Sequence, residues 1–156
     1  KGAHPRFGAT DVCPLVPVSG ITMEETVEYA RKLAKRIGEE LNIPVYCYES
    51  AAYVPERKNL ATCRAGEYEA LGERLSSENW HPDFGPHELN EWTAKTGATA
   101  VGARSFLVAY NVNLNTTSPR RANAIAFDVR ERGRVVGRGT RPELMGNCEV
   151  YRQIAM

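Results

Sequence analysis

Apolar and polar positions along the chain fall into distinct periodic blocks. The first apolar run is Asp11-Val12-Cys13-Pro14-Leu15-Val16-Pro17-Val18. Its two prolines each remove a ladder donor, which predicts an edge or bulged strand. After the Ser19-Gly20 turn, Thr22-Met23-Glu24-Glu25 spells a capping box, with Thr22 as N-cap and Glu25 at N3. Met23, Val27, Ala30, Ala34, Ile37 and Leu41 then recur at spacings of four and three, the apolar stripe of a helix of about five turns. Asn42-Ile43-Pro44 ends it, because a residue before proline avoids the helical region. Val45 to Tyr48 is a short strand of β-favouring residues.

Glu49 to Asn59 is polar and reads as a loop, and Glu67 to Leu75 as a shorter helix with Tyr68, Leu71 and Leu75 on one side. From Ser77 to Thr96 no period is visible. That segment holds Trp80, His81, Pro82, Asp83, Phe84, Gly85, Pro86, His87 and Trp92. An aromatic, histidine-bearing loop of this length is more often functional than filler. Ala98 to Gly102 is a small-residue strand or turn. Phe106 to Leu114 alternates strictly, the pattern of a half-buried strand. Ser118-Pro119 opens a helix with Ala122, Ile125, Ala126 and Val129 on its apolar side. Val135 to Met156 carries little periodicity. The order of elements implies an α+β domain, helices on one face of a mixed or antiparallel sheet.

Composition narrows the classes. The chain has 156 residues, 42% of them apolar, the length of one domain or two small ones. Twenty basic residues against 19 acidic ones argue against a generic nucleic-acid or anionic-membrane binder. No run approaches a transmembrane length, and the first six residues have no apolar core of a signal peptide. The chain lacks an initiator methionine and opens on a dense motif, so it is expected not to begin at a natural start. Cys13, Cys47, Cys63 and Cys148 show no paired metal-ligand spacing, which argues against a structural zinc site and for free thiols in the cytoplasm. Cys13 and Cys47 sit in apolar strand runs and read as small buried hydrophobes.

Several residues can carry chemistry. His4 lies in Gly2-Ala3-His4-Pro5-Arg6-Phe7-Gly8-Ala9, where glycines and a proline hold an irregular path that can present an imidazole from a fixed position. A surface histidine at a frayed terminus stands beside that reading. Arg6 is an anion anchor or a solvated turn arginine. His81 and His87, six apart, lack the spacing of a helical zinc pair, and solvated loop positions fit them as well. Arg57, Lys58 and Arg64 could meet a carboxylate, although a solvated charged face is the plainer reading. Gly97 to Arg104 matches neither a P-loop nor a dinucleotide fingerprint, and no Gly-x-Ser-x-Gly elbow is present.

The string His4-Pro5-Arg6-Phe7-Gly8-Ala9-Thr10-Asp11-Val12-Cys13-Pro14 resembles the start of the catalytic motif of glutamate formiminotransferases. These include the formiminotransferase domains of formiminotransferase-cyclodeaminases and their stand-alone bacterial relatives. The resemblance continues in register through Ile43 to Tyr46, Arg64 to Leu71, Pro82 to Pro86, Gly97 to Thr99, Val101 to Arg104, Phe106-Leu107 and Asn111 to Leu114. It covers about residues 1 to 134.

The resemblance implies a ferredoxin-like α/β sandwich subdomain, incomplete at both ends. Residues 1–105 would be the later part of an N-terminal subdomain, 106–134 the start of a C-terminal one, and 135–156 a divergent tail. The family has a βαβ-rich stretch before this histidine and a second subdomain that runs well past Met156, so a truncated or frame-altered reading is expected. The implied activity moves the formimino group of N-formimino-L-glutamate to tetrahydrofolate, a late step of histidine degradation. His4 takes the place of the catalytic acid/base. The folate-binding segment falls on Gly85, Pro86, His87, Glu88, Leu89, Asn90, Glu91, Trp92, Thr93, Ala94, Lys95, Thr96 and Gly97, a few residues longer than in the animal enzymes. Trp92 would stack on the pterin or pack in the core. Tetrahydrofolate is a co-substrate; no metal and no tightly bound cofactor is implied. Partners are these small molecules, with neither nucleic acid nor membrane, in a cytoplasmic protein whose full-length relatives are homodimers. A folate-binding module without catalysis, or an inactive fragment, is the alternative.

Overall fold

The structure, a computed structural model, describes residues 5–107 and 113–132. The chain divides into two units, Lys1–Leu107 and Val108–Met156. In the first, strand β1 (Asp11–Leu15) leads into helix α1 (Met23–Leu41) and strand β2 (Val45–Glu49). A 3-10 turn (Pro55–Lys58), helix α2 (Leu60–Cys63), two further 3-10 turns (Tyr68–Ala70 and Glu78–Trp80) around helix α3 (Leu71–Leu75), and helix α4 (Glu91–Thr96) come next. Strand β3 (Thr99–Ala103) closes the unit, and helix α5 (Pro119–Arg132) lies in the second.

The α+β class holds, but the sheet is neither mixed nor antiparallel. Among the described residues its three strands run in the order β1-β3-β2, and both pairs are parallel. The physical reason lies in the connections. Each consecutive pair of strands is joined by a long crossover, which parallel pairing needs and a tight hairpin cannot provide. Nor do the helices keep to one face. The chain steps from β1 across to β2 and then back to β3, and crossovers of one hand in opposite directions lie on opposite faces. Thus Val45, Cys47, Val101 and Ala103 pack on Ala30 and Ala34 of α1. Tyr46, Tyr48, Ala98 and Ala100 pack on Phe7, Cys63, Leu71 and Leu75. Burial on both faces explains why β3 is buried at every position and reads as a continuous run of small residues.

β1 is an edge strand, as the prolines of the 11–18 run predict, with Pro14 inside it on the exposed side and Pro17 beyond its end. The Thr22 capping box forms: the Thr22 hydroxyl accepts from the Glu25 amide at 3.2 Å, and the Glu25 carboxylate accepts from the Thr22 amide at 2.8 Å. The stripe of α1 is displaced at its end. Thr26, Ala30, Ala34 and Gly38 are buried, whereas Leu41 is half-exposed. Gly38 is where the Phe84–Gly85 backbone crosses, too close for any side chain. Asn42, left-handed at φ 53°, then turns the chain out of the helix. The expected 67–75 helix is broken into a 3-10 turn and α3, and the expected 77–96 loop contains α4. Asn90 caps α4, accepting from the amides of Trp92 and Thr93 at 2.9 Å.

Of the strand expected over Phe106–Leu114, Phe106 and Leu107 are exposed and outside any strand, and 108–112 lie outside the described residues. The tail from 135 lies outside them too. Ser118 caps α5 through the Arg121 amide, 3.4 Å away, and Ala122 and Ile125 are half-buried on it. Among the described residues no helix is long and apolar enough to cross a membrane.

Cys13, Cys47 and Cys63 are free thiols, Cys47 and Cys63 fully buried and Cys13 half-buried; Cys148 lies outside the described residues. Burial pushes the Cys47 thiol up to about 12 and the Cys63 thiol up to about 11. Both folded values exceed the unfolded ones. The thiols therefore leave stability intact below about pH 8.5 and erode it as pH rises toward 11 and 12. Alkylation at pH 8 should modify Cys13 before Cys47 and Cys63, which are spared until denaturant is added. Peptide mapping after iodoacetamide reads this out, and early labelling of Cys47 would contradict it.

Candidate functional site

His4 lies outside the described residues, so the site is built from the residues on its C-terminal side. Pro5 to Ala9 runs antiparallel to the end of the 85–97 stretch, with a bridge between Gly8 and Gly97. The Ala98 amide donates to the Phe7 carbonyl at 2.9 Å, and the Ala9 amide to the Thr96 carbonyl at 2.8 Å. Two glycines make this approach possible. A Cβ on Gly8 would overlap the Ala98 carbonyl, and one on Gly97, at φ 65°, would overlap the backbone of Phe7 and Gly8.

Side chains complete the tie. The Arg64 Nη1 donates to the Pro5 carbonyl at 2.9 Å and to Asp11 Oδ2 at 2.8 Å. Asp11 Oδ1 accepts from the Phe7 amide at 2.9 Å. The Tyr68 amide donates to the Arg6 carbonyl at 3.0 Å, while its hydroxyl donates to the Ala94 carbonyl at 2.6 Å. Tyr68 thus touches both the segment after His4 and the C-terminal part of the 85–97 stretch. Between them lies a cavity of about 340 Å³, lined by Arg6, Gly8, Ala9, Tyr68 and Ala94 to Gly97. It sits at the amino ends of β1 and β3, opposite to the usual carboxyl-end position in open α/β sheets.

The 85–97 stretch is not a uniform loop. Gly85, at φ 86°, lies so close to the Ile43 carbonyl that no side chain fits. His87, Glu88, Leu89 and Asn90 are exposed, and Glu91 to Thr96 form α4. Thr93 is fully buried, its hydroxyl donating to the Glu88 carbonyl at 3.0 Å. Lys95 pairs with Glu91 at 2.9 Å on the surface. Trp92 is not in the core. It is 52% exposed, and its indole donates to the Leu41 carbonyl at 2.9 Å. Leu41, Asn42, Pro86, Asn90 and Trp92 border a second hollow of about 510 Å³.

The arginines divide. Arg6 is held by Glu69, with Nη2 to Oε1 at 3.0 Å, and lies 3.5 Å from Glu67. The Glu69 hydrogen bond draws the Arg6 pKa upward, and the same bond lowers that of Glu69. Arg57 is not solvated: it is buried at 6% exposure, 2.7 Å from Asp83, and its Nη2 donates to the His81 carbonyl. It stands away from the cavity, as does exposed Lys58. His81 and His87 stack loosely, ring centroids 4.6 Å apart, and the described residues contain no group of three metal-ligating side chains. Sequence reasoning does not find Asp11 and Tyr68. One signal for Asp11 is an acid that opens a strand directly after a glycine-bearing loop.

The family described as the formiminotransferase domain, N-terminal subdomain, matches residues 1–104. The formimidoyltransferase-cyclodeaminase of Mus musculus is 52% identical over 134 residues, covering 86% of this chain and 24% of that protein. The glutamate formimidoyltransferase of Streptococcus pyogenes is 48% identical over 132 residues, 85% of this chain and 43% of that protein. That of Thermoplasma acidophilum is 50% identical over 132 residues, 83% of this chain and 42% of that protein. The chain therefore spans less than half the length of these relatives. With nearly the whole first unit, from the histidine motif to β3, inside the match, this chain belongs to the formiminotransferase domain family through its N-terminal subdomain.

Proposed function

We propose that this sequence carries part of a glutamate formimidoyltransferase site, which moves the formimino group of N-formimino-L-glutamate to tetrahydrofolate. The observation that supports this most is the Gly8–Gly97 bridge. It sets the segment after His4 against the end of the 85–97 stretch, with a cavity between them. In this reading 85–97 is the folate segment and His4 the acid/base. N5 of the pterin attacks the amidine carbon, forming a new C–N bond, and His4 takes the N5 proton. The bond from that carbon to the glutamate nitrogen then breaks, and His4 returns the proton to the departing nitrogen. A single imidazole can both accept and return a proton in this way. Tetrahydrofolate is a co-substrate, and the chemistry needs no electron sink. Residues 106–134 open a second subdomain in this reading, and the full-length protein is a cytoplasmic homodimer.

Titrating tetrahydrofolate into isotope-labelled protein tests the site. Amide shifts are expected at Gly8, Ala9 and Ala94 to Gly97 together. Shifts at these residues without any turnover would favour a folate-binding module; no shift at them would overturn the assignment.

A further inference from the structure

Five backbone groups between Pro5 and Ala9 are tied down: the Pro5 carbonyl, the Arg6 carbonyl, the Phe7 amide, the Phe7 carbonyl and the Ala9 amide. Three of these ties are backbone to backbone. The other two, which flank Arg6, come from side chains, and both converge on one ion pair. Arg64, at the C-terminal end of α2, holds the Pro5 carbonyl, in the residue adjoining His4. Asp11, at the start of β1, holds the Phe7 amide. Asp11 and Arg64 are joined at 2.8 Å with both side chains 21% exposed.

Two further observations set this pair apart from an incidental surface bridge. Asp11 has φ 58°, a left-handed backbone that a non-glycine residue adopts at a cost. Asparagine tolerates that conformation well, yet the acid is present, and only the ionised carboxylate can accept from the Phe7 amide and pair its charge with Arg64 at once. Glu67, three residues beyond Arg64, also has positive φ, 56°, and its amide donates to the Arg64 carbonyl at 2.8 Å. Strained non-glycine backbone therefore lies at or near both members of the pair. Such strain persists where the surroundings over-determine it, and it concentrates at sites that need fixed geometry.

We infer that Asp11 and Arg64 are positioning residues for His4. Neither lines the cavity. They act by fixing the backbone at Pro5 and Phe7, on the C-terminal side of the histidine. The inference rests on the formimidoyltransferase reading and adds residues to it. Their loss should lower kcat while leaving KM for both substrates nearly unchanged, because an acid/base held loosely reacts slowly whereas the binding segment is intact.

The test uses a full-length polypeptide bearing this sequence, assayed for formimino transfer. Asp11→Asn keeps shape, backbone compatibility and one acceptor for Phe7, but then turns an amide donor toward Arg64. We expect kcat to fall about 10- to 100-fold, with each KM within about threefold and the melting temperature within about 5 °C. Both Arg64 contacts leave from a single nitrogen, Nη1. Arg64→Lys should therefore recover much of the activity that Arg64→Met loses, a rescue that a merely structural arginine would not show in kcat alone. Should Arg64→Met fail to fold, Asp11→Asn decides alone. His4→Ala runs alongside. Full activity of Asp11→Asn with a dead His4→Ala overturns the positioning role only, and so does a rise in KM at unchanged kcat. An active His4→Ala overturns the acid/base reading on which it rests.

Discussion

Replacing His4 with alanine is expected to lower formimino transfer by roughly 10²- to 10⁴-fold while tetrahydrofolate binding stays within a few-fold. The range is what a positioned acid/base typically contributes. In the proposed reaction one imidazole both removes the N5 proton and supplies the leaving nitrogen with one. Its loss therefore strikes both halves of the transfer. Binding is expected to survive because the groups around the cavity, from Arg6 to Gly97, are held by Tyr68 and by the antiparallel bridge, not by the histidine. Steady-state kinetics with both substrates checks this. Turnover within tenfold of the parent would remove His4 from the mechanism.

Asp83→Ala is expected to cost about 3–5 kcal/mol of folding stability. Arg57 is nearly sealed from solvent, and its partner carboxylate is 2.7 Å away with 10% side-chain exposure. The other Asp83 oxygen accepts from the Cys47 amide at 2.6 Å, so this one carboxylate satisfies a buried cation and a strand amide. The guanidinium also lies over the rings of Tyr46 and Trp80, centroids 5.1 and 5.8 Å away, in a stack completed by Arg74 at 4.3 Å from Trp80. Alanine leaves the cation buried with only the His81 carbonyl and the ring faces. Asp83→Asn keeps an acceptor and should lose less. For a unit of this size the alanine variant should melt roughly 10–20 °C lower, which thermal denaturation by circular dichroism measures. A shift under about 3 °C would mean that the pair is hydrated and not structural.

Local signals carry much of this fold. The Thr22 capping box, the Pro14 edge strand and the Ser118-Pro119 start each act over a few residues, and each forms where the sequence pattern places it. The sheet's sense is not legible in the same way, because it is set by which strands share an edge. The order β1-β3-β2 inserts the last strand between the first two, and the burial of β3 on both faces erases the alternation that usually betrays a strand. Arg57 escapes a sequence reading for a related reason: charge alone suggests solvation, and its counter-ion lies 26 residues on, in a stretch without period. For the site, the glycines at 8, 85 and 97 are visible as residues, but the closeness that requires them is tertiary. Asp11 and Tyr68 are invisible as clamps, since a single acid before an apolar run and a single tyrosine on a short helical face have more common explanations.

The most direct measurement of the central claim is product formation. A full-length polypeptide bearing this sequence is incubated with N-formimino-L-glutamate and tetrahydrofolate, and glutamate and 5-formiminotetrahydrofolate are quantified together. Both are expected to appear in equal amounts, and both to fall at least a hundredfold when His4 is replaced by alanine. Glutamate without the folate product, or equal turnover by the alanine variant, would contradict it.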